Sequence, residues 1–184
     1  MHDQQFINRG SIDCRVRFGW GLIKGLAYLH EHNIAHRDIK PDNLVCDHDF
    51  VLKIIDFDTA IEVQDENTEI NEYCGTEGWT APEIGKEDGP TAMYSPIKAD
   101  RWSCGCVILR HILVGLVGEG DSRLSKFANR LMAKDPEQRP SQLEWHKLLA
   151  QPVSKWPIVE VGGESAKSPA AKKPRLERSD QSVP

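Results

Sequence analysis

The sequence predicts a mainly α fold carrying one small β-hairpin, and three stretches predict it. Val16, Trp20, Ile23, Leu26, Ala27 and Leu29 recur at helical spacing. Leu44-Val45-Cys46 and Val51-Leu52-Lys53-Ile54-Ile55 flank the polar turn Asp47-His48-Asp49, the pattern of two short antiparallel strands. From Asp100 to Leu116 the chain is largely apolar, which suits a helix buried on most sides.

Taken in order, residues 1–10 are polar and poorly patterned, and Ser11 can cap the first helix with Asp13 in its opening turn. His32-Asn33 ends that helix, and Ile34-Ala35 leads into the irregular run His36-Arg37-Asp38-Ile39-Lys40-Pro41-Asp42-Asn43. If facing residues of the hairpin sum to about 98, Asn43 lies beside Ile55 and Asp56 emerges next to it. Between Asp58 and Cys74 come six acidic residues (Asp58, Glu62, Asp65, Glu66, Glu69, Glu72) and no Lys or Arg. Asp100 opens the central helix. A late helix and loop hold Leu131 to Ser141. Gly162-Gly163 and a run of Ser, Ala, Pro and charged residues then replace apolar periodicity. The expected division is a polar segment at 1–10, one domain over 11–150 and a disordered tail at 151–184.

Composition narrows the class. A chain of 184 residues with 39% hydrophobic content can bury one core. Its net charge of -5 makes no electrostatic case for nucleic-acid binding. The five cysteines (Cys14, Cys46, Cys74, Cys104, Cys106) form neither a secreted disulfide framework nor a metal-ligand pattern. Met1 is not followed by a signal-peptide pattern, and Arg110 and His111 interrupt the longest apolar run, Val107 to Val117. The expectation is a soluble cytoplasmic or nuclear protein without a membrane partner. Lys172-Lys173-Pro174-Arg175 reads as a nuclear import signal or, more simply, as part of a solubilising tail.

His36-Arg37-Asp38-Ile39-Lys40-Pro41-Asp42-Asn43, then Asp56-Phe57-Asp58, then Ala81-Pro82-Glu83, resemble in order three signatures of eukaryotic protein kinases: the catalytic loop, the metal-binding motif and the end of the activation segment. The resemblance implies the large C-terminal lobe of a serine/threonine kinase, with ATP and Mg2+ as cofactors and a protein hydroxyl as acceptor. Asp38 would accept or orient the hydroxyl proton, and Lys40 would reach the transferred phosphate. Asn43 and Asp56 would hold magnesium, and Val45 would floor the adenine. Thr76 would bridge Asp38 and Lys40, and Asp100 would receive backbone amides of the catalytic loop. Arg139 would pair with Glu83. Arg37 would pair either with a phosphorylated loop residue, Thr68 or Tyr73 being the candidates, or with the built-in acids.

The sequence also departs from that pattern. No glycine-rich phosphate-covering loop, Val-Ala-Ile-Lys strand or partner glutamate precedes Ser11, so the small N-terminal lobe is expected to be missing. Asp58 replaces the glycine usual after Asp-Phe, removing easy access to positive φ. Gly115 to Gly120 stands where the family has a further helix, so a peptide-docking surface there is expected to be lost. The readings are a kinase region lacking its small lobe, an inactive kinase-like binding module, and an incomplete gene model or pseudogene product whose missing half lies upstream. The hairpin face that would meet a small lobe is expected to be apolar and open to a partner protein.

Overall fold

Helix α1, Ile12–Glu31, carries the fold. Phe18, Leu22, Ile23, Leu26 and Ala27 are buried along it, while Arg17, Lys24, Tyr28 and Glu31 line the opposite, exposed stripe. The helix stops where Asn33 turns left-handed at φ 57°, its N–H donating to the His30 carbonyl at 3.0 Å. Asparagine is one of the few L-residues that tolerates that turn. The computed structural model describes residues 12–47, 51–86, 89, 92–115 and 122–150. The Ser11 cap, the tip of the hairpin turn and the whole of 151–184 with its basic cluster lie outside them.

Two antiparallel strand pairs follow. Strand β1, Ile34–Ala35, pairs with β4, Ile61–Glu62, in the register Ile34↔Glu62 and Ala35↔Ile61. The sequence reading treats Ile34-Ala35 as a mere lead-in, because two residues are too few to leave an alternation. Strands β2, Leu44–Cys46, and β3, Leu52–Ile54, pair as Leu44↔Ile54, Val45↔Lys53 and Cys46↔Leu52, the expected register. A short 3₁₀ turn, Pro41–Asn43, feeds β2.

Helix α2 spans Pro96–Val107, so it starts one turn before the expected Asp100. Ser95 caps it, accepting from the Lys98 N–H at 3.2 Å, and Pro96 occupies the first position, where no N–H is needed. Nor does it run to Leu116: after Val107 the helix widens into a π turn, Ile108–Ile112. Buried Arg15 of α1 caps that turn, donating from Nε to the Ile112 carbonyl at 2.7 Å and from Nη2 to that of Val114 at 2.8 Å. The expected loss of a docking helix concerns residues 116–120, outside the described range.

Helices α3, Ser122–Leu131, and α4, Gln142–Ala150, complete the core. Leu124, Phe127, Ala128 and Leu131 of α3 pack with Cys104, Val107, Ile108 and Ile112 and with the α1 residues above. Trp145 of α4 is fully buried and meets Phe127 edge-on at 5.4 Å between centroids. A smaller cluster of Ala81, Ile84, Tyr94 and Ala99 seats the segment after β4, with Ile70, Tyr73 and Trp102 against it. The fold is mainly helical with two small antiparallel pairs among the described residues, the class the sequence predicts.

Candidate active site

The run His36 to Asn43 is irregular backbone, and buried Asp100 of α2 shapes it. Asp100 Oδ2 accepts the His36 N–H at 2.7 Å and Oδ1 accepts that of Arg37 at 2.8 Å. His30 Nε2 also reaches Asp100 Oδ2, at 3.3 Å. Burial lowers the His30 pKa, against the opposing pull of Asp100. His36 is buried beneath the loop. Its Nε2 lies 3.0 Å from the Ile55 carbonyl and its Nδ1 3.3 Å from the Asp38 N–H. Those two partners call for the neutral ring with its proton on Nε2, donating to Ile55 and accepting from Asp38.

Asp38, Lys40, Thr76 and Asn43 converge. Asp38 Oδ1 accepts the Thr76 hydroxyl at 2.7 Å, and its Oδ2 lies 2.7 Å from Lys40 Nζ. Lys40 Nζ also donates to Thr76 Oγ1 at 2.8 Å. Asn43 Nδ2 donates to the Asp38 carbonyl at 2.9 Å and to Oδ2 at 3.1 Å. Partial burial works against the Asp38 carboxylate, but the donors from Lys40, Thr76 and Asn43 outweigh it and hold its pKa below the usual range. A carboxylate so well supplied is a weak base and a firm hydrogen-bond acceptor.

The donor set beside it suits magnesium. Asn43 spends its amide nitrogen on Asp38, which leaves its Oδ1 as the end for a cation. The Ile55 N–H donates to the Asn43 carbonyl at 3.0 Å, so the next residue, Asp56, leaves the hairpin beside Asn43. The Asp56 side chain is exposed and makes no hydrogen bond or ion pair among the described residues. One amide oxygen and one carboxylate are enough for an ion that keeps waters and substrate phosphates as its other ligands. No group of three or more His, Cys, Asp or Glu gathers as a metal cage among the described residues. Asp56 itself takes the left-handed turn, at φ 65°, and Asp58 is not among the positive-φ residues. The missing glycine therefore costs no backbone strain at position 58.

The segment from Asp58 to Glu83 touches this loop, the Thr59 hydroxyl donating to the His36 carbonyl at 2.9 Å. Arg37 Nη1 donates to Glu72 Oε2 at 2.7 Å, the built-in acid alternative. The Thr68 hydroxyl is engaged locally, accepting from the Asp65 N–H at 3.1 Å and donating to Asp65 Oδ1 at 3.3 Å. Tyr73 is half-buried against the smaller cluster. At the far end Glu83 takes a two-pronged bond from buried Arg139, Nη1–Oε1 at 2.5 Å and Nη2–Oε2 at 2.8 Å. Val45 sits half-buried on β2 opposite Lys53. Among the partners sequence reasoning missed are Glu66 with Arg101 and His30 with Asp100. An arginine in a buried helix was the available signal for the first.

These features meet their counterpart among known proteins. Residues 11–115, more than half of the chain, match the family model described as protein kinase domain, and the chain belongs to that family. It is 38% identical over 120 residues to CBL-interacting serine/threonine-protein kinase 7 of Arabidopsis thaliana, covering 65% of this chain and 27% of that one. It is 34% identical over 129 residues to serine/threonine-protein kinase chk1 of Schizosaccharomyces pombe, covering 69% and 24%. It is 40% identical over 107 residues to serine/threonine-protein kinase cds1 of the same yeast, covering 55% and 23%. The chain spans about a quarter of the length of these curated relatives. None of the described helices is long and apolar enough to cross a membrane.

Proposed function

We propose that this chain carries the acceptor and magnesium half of a serine/threonine phosphotransfer site. The observation that carries the reading is the closed arrangement of Asp38, Thr76 and Lys40 with Asn43 beside it. When bound, Mg-ATP supplies the γ-phosphoryl group and the metal offsets phosphate charge. Asn43 and Asp56 would hold the metal, and Val45 would lie under the adenine. Asp38 accepts the hydrogen bond of a protein serine or threonine hydroxyl and sets its direction of attack. Lys40 supplies positive charge where the moving group gathers negative charge. Thr76 keeps the two apart from each other's exclusive pairing by bonding both. Arg37, Asp100, Glu83 and Arg139 hold the loop and the segment that meets it in place.

A second reading, a binding module of kinase fold, is favoured by one observation. Val51 and Ile55, at the two ends of strand β3, and Phe57 beyond it are 52%, 39% and 46% exposed, where a phosphate-covering lobe or another partner protein would sit.

The test is phosphate transfer by the purified chain, alone and with a separately supplied small lobe, together with its melting temperature in Mg-ATP. The proposal expects Mg-ATP to raise the melting temperature and Asp38→Asn to cut transfer by roughly 10²–10⁴-fold with nucleotide binding kept. Because the Asp38 pKa is lowered, its protonation should cost no rate until pH falls below the ordinary carboxylate range. No effect of nucleotide on melting, with or without the small lobe, would favour the binding module.

A further inference from the structure

Arg101 stands one residue past Asp100 on α2 and is 1% exposed. A guanidinium does not give up its proton in a protein, so its burial calls for an anion. Glu66, from the segment between β4 and Glu83, is that anion: Arg101 Nη2 donates to Glu66 Oε2 at 2.5 Å and approaches Gln142 Oε1 at 3.5 Å. The same Glu66 oxygen accepts the N–H of Gln142, the first residue of α4, at 3.2 Å. That N–H is one of the donors a helix start leaves unsatisfied. The Glu66 carbonyl accepts the hydroxyl of Ser95, the cap of α2, at 2.7 Å. One loop residue thus joins the starts of two helices and a buried cation.

From Glu66 the chain is laid down step by step toward the active site. Ile70 and Tyr94 exchange two backbone bonds of 2.9 Å, and the Tyr94 hydroxyl donates to the Glu72 carbonyl at 2.7 Å. Glu72 meets Arg37, Gly75 makes the left-handed turn at φ 116°, and Thr76 arrives on Asp38 and Lys40. Of the two acids, Glu66 is the stronger anchor. The Glu72 side chain is 67% exposed, where solvent screens a pair to little, whereas that of Glu66 is 30% exposed against a fully desolvated partner. Thr68 is turned away into a surface turn with Asp65, next to Glu66 and Glu69. A phosphate placed there would meet like charge.

We propose that Glu66 is a positioning residue that, through Arg101, tethers the segment 61–76 to α2 and α4 and so delivers Thr76 to Asp38 and Lys40 without modification of that segment. The consequence for catalysis rests on the phosphotransfer reading; the tether itself does not. The test therefore has a readout that needs no activity, amide hydrogen exchange at Ile70 and Tyr94 in the full chain, unphosphorylated by mass spectrometry. Glu66→Gln should speed exchange at both amides by about tenfold or more, and Glu69→Gln, at an exposed neighbour, should leave them unchanged.

Because Glu66→Gln leaves a buried charge and can lower stability, the double variant Glu66→Gln with Arg101→Met separates tether from fold. It should recover the melting temperature while exchange at Ile70 and Tyr94 stays fast. Wild-type exchange in the single or the double variant overturns the proposal, as does protection that forms only after Thr68 is phosphorylated. Where the wild-type chain transfers phosphate, the double variant should lose kcat with the KM for ATP kept, and an unchanged kcat counts against the role of Glu66. Where it transfers none even with the small lobe supplied, the phosphotransfer reading fails and the exchange data still decide the tether.

Discussion

At the scale of single residues, a strained backbone turn at Arg37 is held by a charged anchor. Arg37 and Asp56 both lie in the left-handed region, at φ 69° and 65°, which costs a non-glycine residue about 1–3 kcal/mol each. The two carboxylate-accepted amides at Asp100 contribute about 1.5–3 kcal/mol apiece, enough to offset the strain at Arg37. Arg139 is the other such anchor. Its side chain is fully buried, donates to the carbonyls of Lys98 and Ala133 at 2.9 and 3.0 Å, and lies over the Trp102 ring at 5.2 Å. Those partners leave the net charge unmatched without Glu83. Glu83→Gln is therefore expected to destabilise the fold by about 3 kcal/mol, read from the midpoint of urea unfolding. A change under about 0.5 kcal/mol, the scale of an ordinary surface substitution, would show that the pair is not anchoring the segment.

Elements meet where side chains are absent as much as where they are present. Helix α2 passes α3 at Gly105, where a Cβ would fall 2.8 Å from the Ala128 carbonyl oxygen and 3.1 Å from Leu131 Cβ. Alanine at that position would gain about 0.8–1 kcal/mol in helix propensity. Overpacking against a backbone atom that cannot swing aside costs about 1–3 kcal/mol, so the clash wins. Gly105→Ala should lower the thermal midpoint by several degrees, roughly 2–8 °C. A rise would mean that α2 and α3 can slide apart without cost. The π turn after Val107 belongs to the same scale, since Arg15 serves carbonyls that a continuing α-helix would have used internally.

Across the whole molecule the apolar groups divide unequally. The α1–α4 core is buried, yet Val51, Ile55 and Phe57 in and just after the hairpin remain open to solvent, as do Tyr28, Met93, Val114 and Leu143 elsewhere. Ile55 and Phe57 flank Asp56, and exposed apolar side chains beside a functional site mark a place for another protein surface. Val51→Glu should weaken binding of a hydrophobic dye and any self-association of the chain while leaving its melting temperature unchanged, because residue 51 is outside the core. Equal dye binding in both proteins would remove this face from consideration as a partner site.

Much of the site was legible because it is local. Asn43 and Asp56 are brought together by one hairpin, whose register follows from a short turn and the requirement that like faces meet. The motif from His36 to Asn43 announced its residue types in a single run, and helical periodicity announced α1. Other features depend on where remote segments touch. The pairing of Ile34-Ala35 with Ile61-Glu62 and the early start of α2 at Ser95 belong to this group, as do the Arg15 cap and the Glu66–Arg101 bond. None of these leaves a period or a spacing in the chain. Short-range order is written in neighbouring side chains, whereas an ion pair between distant segments exists only once burial has desolvated one partner and set the other within reach.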